Sequence, residues 1–176
     1  MLSIGGGMFK KINLLLICLA LGFGLGCGSR PESPAPAQSQ AADFSAYVDD
    51  YFKALFDFSP ANGTAAGFHQ YDTKLEDLSS EAIRARIQSL KAFKTRLDGL
   101  RARTLNETDS IDAEILDGQI QAELQDLESL QGWKKNPMPY IAVAGGSVDL
   151  LMKRNFAPPS ERLRSVIARL KQIPLI

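Results

Sequence analysis

Six apolar residues in the middle of the chain, Ile83, Ile87, Leu90, Phe93, Leu97 and Leu100, recur at steps of four, three, three, four and three. A helix brings residues at those steps onto one side, whereas a strand needs a period of two. Ser79 opens the helix. Glu81 sits in the first turn, where a carboxylate meets the positive end of the helix dipole. Arg84, Arg86, Lys91, Lys94 and Arg96 lie mostly off the stripe, so the rest of the helix is basic. That face reads as solvated, with an acidic partner helix as the other reading.

The same period returns on both sides. Phe44, Tyr47, Val48, Tyr51, Phe52, Leu55 and Phe56 make a broad aromatic face after Asp43, a candidate N-cap. Core packing is the plain reading of that face, and one wall of a cleft is the sharper one. Ser59-Pro60 ends the helix, since proline disfavours helical backbone at the residue before it. Further on, Ile111, Ile115, Leu116, Ile120, Leu124, Leu127 and Leu130 form a stripe, with Thr108 as cap and Gly132 as stop. Asp117, Glu123, Asp126 and Glu128 make this helix acidic. It is therefore expected to pack antiparallel on the basic helix through a short connection. Residues 133–140 read as an irregular crossing and 149–152 as the start of a short helix. Leu163, Val166, Ile167, Leu170 and Ile173 stripe a last helix, launched at Pro158-Pro159 and broken at Pro174. The fold class is all-α, an antiparallel helical array over residues 43–176.

The 176 residues are 45% hydrophobic and 23% charged, which suits roughly one globular domain. Net charge is zero, so a basic footprint for nucleic acid is missing. Both cysteines, Cys18 and Cys27, lie near the N-terminus, so the helical region has no thiolate for a disulfide, a nucleophile or a metal.

That N-terminal stretch is of another kind. Lys10-Lys11 followed by Ile12 to Leu21 reads as a secretory signal, with a positive end and an apolar run too short to span a bilayer. Met8 serves as a start as well as Met1. Gly24-Leu25-Gly26-Cys27 closes the run and resembles a lipobox, in which small residues precede a cysteine that is acylated and becomes the new N-terminus. Leu25 stands one place later than in the usual pattern. The expectation is a signal over 1–27 and lipidation at Cys27, with several acyl chains for a firm anchor, since a single chain binds a membrane marginally. Gly28 follows the cysteine, so a periplasm-facing outer-membrane address is expected. An incidental Cys27, with cleavage after Ala37, is the plainer alternative. Residues 28–42 carry prolines and serines without a large apolar side chain and read as a disordered tether.

His69 is the only histidine, set in Gly67-Phe68-His69-Gln70-Tyr71-Asp72. A zinc site needs about three ligands of His, Cys, Asp or Glu type. One histidine makes this a poor metal centre, so His69 and Tyr71 are read as candidate cleft-lining residues. No metal ligand and no catalytic residue is assigned. Asp72 and Asp77 read as turn and helix caps. Gly145-Gly146-Ser147 fails the Gly-x-Ser-x-Gly pattern of a serine hydrolase.

Several stretches taken in order resemble one known family. They are Gly67 to Asp72, Leu75 to Ser79, Asn136-Pro137 with Tyr140, Leu151 to Pro158, Glu161 to Leu163, and Arg169 to Pro174. Together, over residues 43–176, they resemble the start of the bacterial domain of unknown function 885 family. The resemblance implies a mostly helical, exported, often lipid-anchored protein of zinc metallopeptidase type. Its His-Glu-x-x-His motif would lie in a C-terminal half, and none occurs in this chain. The implied reading is an N-terminal fragment, incomplete at its C-terminus and inactive alone. Its partners would be the membrane, through the lipid anchor, and the missing C-terminal half. Zinc would belong to the full-length parent, and no cofactor is expected in this chain. The apolar end Leu175-Ile176 fits a cut chain. The alternative is a complete, non-catalytic helical envelope lipoprotein that binds a partner.

Overall fold

The computed structural model describes residues 36–103 and 105–175. The signal, Cys27 and residues 28–35 of the expected tether lie outside the described residues. All regular structure among the described residues is helical, and an all-α fold results.

Helix α1 spans Pro36–Phe58. It starts at Pro36 rather than at Asp43, so residues 36–42 are its first turns. The local chemistry allows this: proline fits a first helical position, and Ala37, Gln38, Gln40, Ala41 and Ala42 are good or fair helix formers. A short helix α2, Pro60–Ala65, and a 3-10 turn, His69–Tyr71, follow. Helix α3 is Ser80–Arg101, capped by Ser79, whose side chain accepts from the Ala82 amide. Helix α4 is Glu107–Leu124, continued by a π-helical turn, Gln125–Leu130. Its cap is Asn106 rather than Thr108.

Gly132 does not stop α4. Gln131 does, in the left-handed region at φ 51°, with its amide donating to the Asp126 carbonyl at 2.7 Å. Side chains take up the carbonyls freed at this end: Trp133 Nε1 donates to Leu127 and Lys135 Nζ to Leu130. Gly132 instead opens α5, Gly132–Lys135. The end of the expected crossing, residues 138–140, and the short helix expected at 149–152 belong to one helix, α6, Met138–Lys153. Proline in the first turn supports this start because amides there have no helical partner. Helix α7 is Pro159–Gln172, ended by a 3-10 turn, Ile173–Leu175.

Helices α1, α3 and α4 form an antiparallel layer. Asp43 pairs with Arg103 and Asp50 with Arg96, so α1 and α3 run in opposite directions. Between α3 and α4, Arg101 meets Asp117 and Arg86 meets Glu123, again antiparallel. The core between them contains Tyr47, Leu90, Leu97 and Ile120, all fully buried. Burying one such aliphatic side chain is worth about 1.5–3 kcal/mol. Phe93 stands edge-on to both Tyr47 and Tyr51, at 5.8 and 5.5 Å between ring centres.

Two details depart from the sequence reading. Arg86 is not solvated: it is 3% exposed and grips Glu123 with two hydrogen bonds of 2.7 and 2.8 Å. On α4 the buried face is Ala113, Leu116, Ile120 and Leu127, while Ile111 and Ile115 point outward. The helix is apolar on two opposite sides, and periodicity alone does not tell them apart.

Candidate functional site

The second layer holds α2, the 3-10 turn, α6 and α7, and it is organised by polar side chains. Helix α2 ends in a tight return. Gly67 sits at φ +94°, in the left-handed region that glycine enters without strain. The chain then folds the Tyr71 ring against Gly63, so closely that a Cβ there would lie 2.6 Å from Tyr71 Cδ2. The Tyr71 hydroxyl donates to Asp57 at 3.2 Å. Burial, and then that bond, push the Tyr71 phenol above its ordinary pKa.

Arg169, 0% exposed, reaches into this return from α7. It donates to the Ser147 carbonyl at 2.6 Å, to Thr64 Oγ1 at 2.7 Å and to the Tyr71 carbonyl at 3.2 Å. One side chain thereby ties α6, α2 and the 3-10 turn to α7. Burial lowers its pKa, and Glu76 and then Asp72 raise it. Both carboxylates are nine-tenths buried. Glu76 Oε1 accepts from the Ala61 amide at 3.1 Å, which supplies the cap that Ser59 does not give to α2. Asp72 Oδ1, Glu76 Oε2 and Arg169 Nε have no hydrogen-bond partner among the described residues.

The neighbouring polar residues follow the same habit. Gln172 accepts from the Leu75 amide and donates to the Thr73 carbonyl. Arg154 donates to the Ala65 carbonyl at the other end of α2. Arg162 collects the carbonyls of Leu151, Met152, Arg154 and Ala157, and so caps α6.

His69 lies at the edge of this cluster. Its Nδ1 is 3.1 Å from Asp72 Oδ2, and its ring stacks on Phe156 at 4.2 Å. It lines a cavity of about 370 Å³ with Asp72, Thr73, Phe156, Glu161 and Ser165. Tyr71, the other candidate cleft residue, is buried with its ring under α2. A larger cavity, about 550 Å³, lies between α2 and α6. A histidine oriented by a carboxylate is two thirds of a nucleophile-activating set. The third member is missing here, because Ser165 shares the cavity without a hydrogen bond to His69 among the described residues. Among those residues, no group of three or more His, Cys, Asp or Glu side chains can hold a metal ion. The donor set near His69 therefore does not fit a zinc centre.

A family model described as "Bacterial protein of unknown function (DUF885)" matches residues 60–176. The chain belongs to the DUF885 family. No curated protein and no solved structure matches it. The matched DUF885 region contains the whole polar cluster, from Thr64 to Gln172. Residues quoted above for the family resemblance, Tyr71, Asp72, Glu76, Arg154, Phe156, Arg169 and Gln172, gather around α2 and the turn after it. Sequence reasoning assigned no role to Arg169, Glu76 or Thr64. A signal for Arg169 was present: it lies three residues past Val166, on the buried side of α7, where an arginine must find partners.

Proposed function

We propose that this DUF885 chain is the N-terminal helical scaffold of an exported, lipid-anchored hydrolase of metallopeptidase type, with the zinc-binding half outside it. On this reading the chain has no catalysis of its own. It holds an array against which the reactive half packs.

The observation that carries the reading is the apolar surface left open on the last two helices. Met138, Ile141 and Met152 are 58–60% exposed and share one stripe of α6. Leu163, Ile167 and Leu170 are 44–53% exposed on one stripe of α7. Large side chains aligned at helical steps on two adjacent helices are the mark of a surface that packs against something. The polar cluster supports the same reading, since its arginines and Gln172 bond to the chain itself and brace that surface from beneath. Cys27, in its lipobox-like setting, supplies the anchor.

The test is the intact mass and metal content of the mature protein, expressed from its natural gene in a bacterial host and extracted from membranes. The reading expects a chain longer than 176 residues that starts at an acylated Cys27, carries zinc, and loses peptide hydrolysis on chelation. A mature mass that stops at Ile176, without zinc, would overturn it and favour a non-catalytic envelope lipoprotein. A mass without lipid would remove the anchor alone.

A further inference from the structure

Helix α4 holds α3 by an apolar seam with charges beside it. Ala113, Leu116, Ile120 and Leu127 are buried along its inner side. Beside them Asp117, Glu123 and Glu128 meet Arg101, Arg86 and Lys91 of α3. No lysine or arginine occurs from Glu107 to Leu130, so every ion pair of this stretch takes its cation from elsewhere.

The outer side of α4 repeats the pattern. Ile111, Ile115, Gly118 and Ala122 follow at steps of four, three and four, which sets them on one stripe. All four are exposed, the isoleucines at 55% and 57%. Glu107 and Glu114 fall along one edge of the stripe and Asp112 along the other. These three are exposed too, and they enter no ion pair among the described residues, unlike the carboxylates that face α3. Gly118 leaves the middle of the stripe low: a Cβ built there meets nothing within 4 Å. Another helix can therefore come close at Gly118 and Ala122, because the distance between packed helices is set by the side chains at the contact. Single exposed apolar residues are ordinary, whereas aligned ones rimmed by polar groups mark a docking face.

We propose that the outer face of α4 docks a basic amphipathic helix of a partner protein, the same chemistry that α3 presents to the inner face. Aliphatic side chains of the partner lie along Ile111 and Ile115, its backbone passes close over Gly118, and its lysines or arginines meet Glu107, Asp112 and Glu114. A second α4 is disfavoured there, because its carboxylates would face these, and an anionic membrane is disfavoured for the same reason. The α6–α7 surface is not used, so this proposal and the scaffold reading can each fail without the other.

The test is a fluorescence-anisotropy titration of the full chain into a labelled helical peptide of three heptads, with leucine at the two seam positions and lysine beside them. The same peptide with glutamate for lysine, and a scrambled lysine peptide, are the controls. The lysine peptide is expected to bind at least about tenfold more tightly than either control. Ile115→Gln and Gly118→Leu, both on the exposed side, should each weaken it about tenfold while the circular-dichroism melt stays cooperative. Asp112→Lys with Glu114→Lys should turn the preference toward the glutamate peptide. No binding, equal binding of the scrambled peptide, binding unchanged in Ile115→Gln and Gly118→Leu, or a preference that charge reversal leaves intact would each overturn the proposal. So would a dimer of the parent chain that Ile115→Gln dissolves, since the face would then belong to a second copy.

Discussion

Replacing Arg169 by methionine tests whether the polar cluster holds the second layer together. The side chain is fully buried and makes three hydrogen bonds, two to backbone carbonyls and one to Thr64. Methionine fills much of the same volume, so the loss is mainly electrostatic. Both carbonyls keep a backbone donor, the Lys74 amide for Tyr71 and the helical ladder of α6 for Ser147, so the lost hydrogen bonds are the smaller part, about 0.5–1.5 kcal/mol each. Asp72 and Glu76 also lose the cation nearest to them in a water-poor site. Breaking a buried charged network by removing one partner costs about 3–5 kcal/mol, and this is the expected effect. Against a total stability of about 5–15 kcal/mol, it removes a large share. For a domain of this size it lowers Tm by about 6–20 °C. Urea titration followed by circular dichroism gives the first figure and a thermal melt the second. The triple variant Asp72→Asn, Glu76→Gln, Arg169→Met should be less destabilised than Arg169→Met alone, because it removes the uncompensated charges too. If Arg169→Met lies within about 1 kcal/mol of the parent, or if the three changes simply add, then the cluster is not a coupled charge network and the reasoning fails.

Three further outcomes follow from the same geometry. Gly63→Ala places a Cβ 2.6 Å from the anchored Tyr71 ring and should cost about 1–3 kcal/mol, whereas Gly118→Ala, with nothing within 4 Å, should stabilise α4 by up to about 1 kcal/mol; urea midpoints read both. Glu123→Gln leaves the buried Arg86 guanidinium without its counter-charge and should cost about 2–3 kcal/mol, while Glu128→Gln, which breaks the exposed pair with Lys91, should cost under about 1 kcal/mol. Burial pushes the Tyr47 phenol up to about 12, with Tyr51 adding to it, so folding favours its neutral form. That stability is present in full below the ordinary phenol value of about 10 and is lost as pH rises from there toward about 12. Thermal melts across that window should fall, and Tyr47→Phe should flatten the fall; a Tyr47→Phe profile as steep as the parent's would count against it.

The sequence speaks clearly where one residue type has one use. In α3 the apolar steps from Ile83 to Leu100 have a single physical solution, and Ser79 caps the helix as its side chain requires. The acidic character of α4 likewise told which neighbour it would choose. The reading blurs where a residue has two uses. Ile111 and Ile115 obey the helical period as well as Leu116 and Ile120 do, yet small Ala113 is the one that faces the core. Periodicity measures that apolar residues align and is silent on which of two sides is inward. Proline and glycine mislead in the same way. Pro137 to Pro139 read as part of an irregular crossing, but prolines at the first turn of α6 have no amide bond to lose, while Gly132, read as a stop, opens α5.

The candidate site was the least legible part because its logic is long-range. Arg169 meets Thr64 across 105 positions, and Gln172 meets Thr73 across 99. No local pattern encodes such a pairing, and a polar residue on a helix reads as solvated until its partners are known. The histidine drew attention because it is chemically versatile, yet its Nδ1 is turned to Asp72 and its ring is stacked on Phe156. The residues that order this layer are an arginine, a glutamate and a glutamine that bind backbone groups, with Asp72 turned to His69 beside them. They lie within the region that the DUF885 model matches, and they join α2 and the turn after it to α6 and α7.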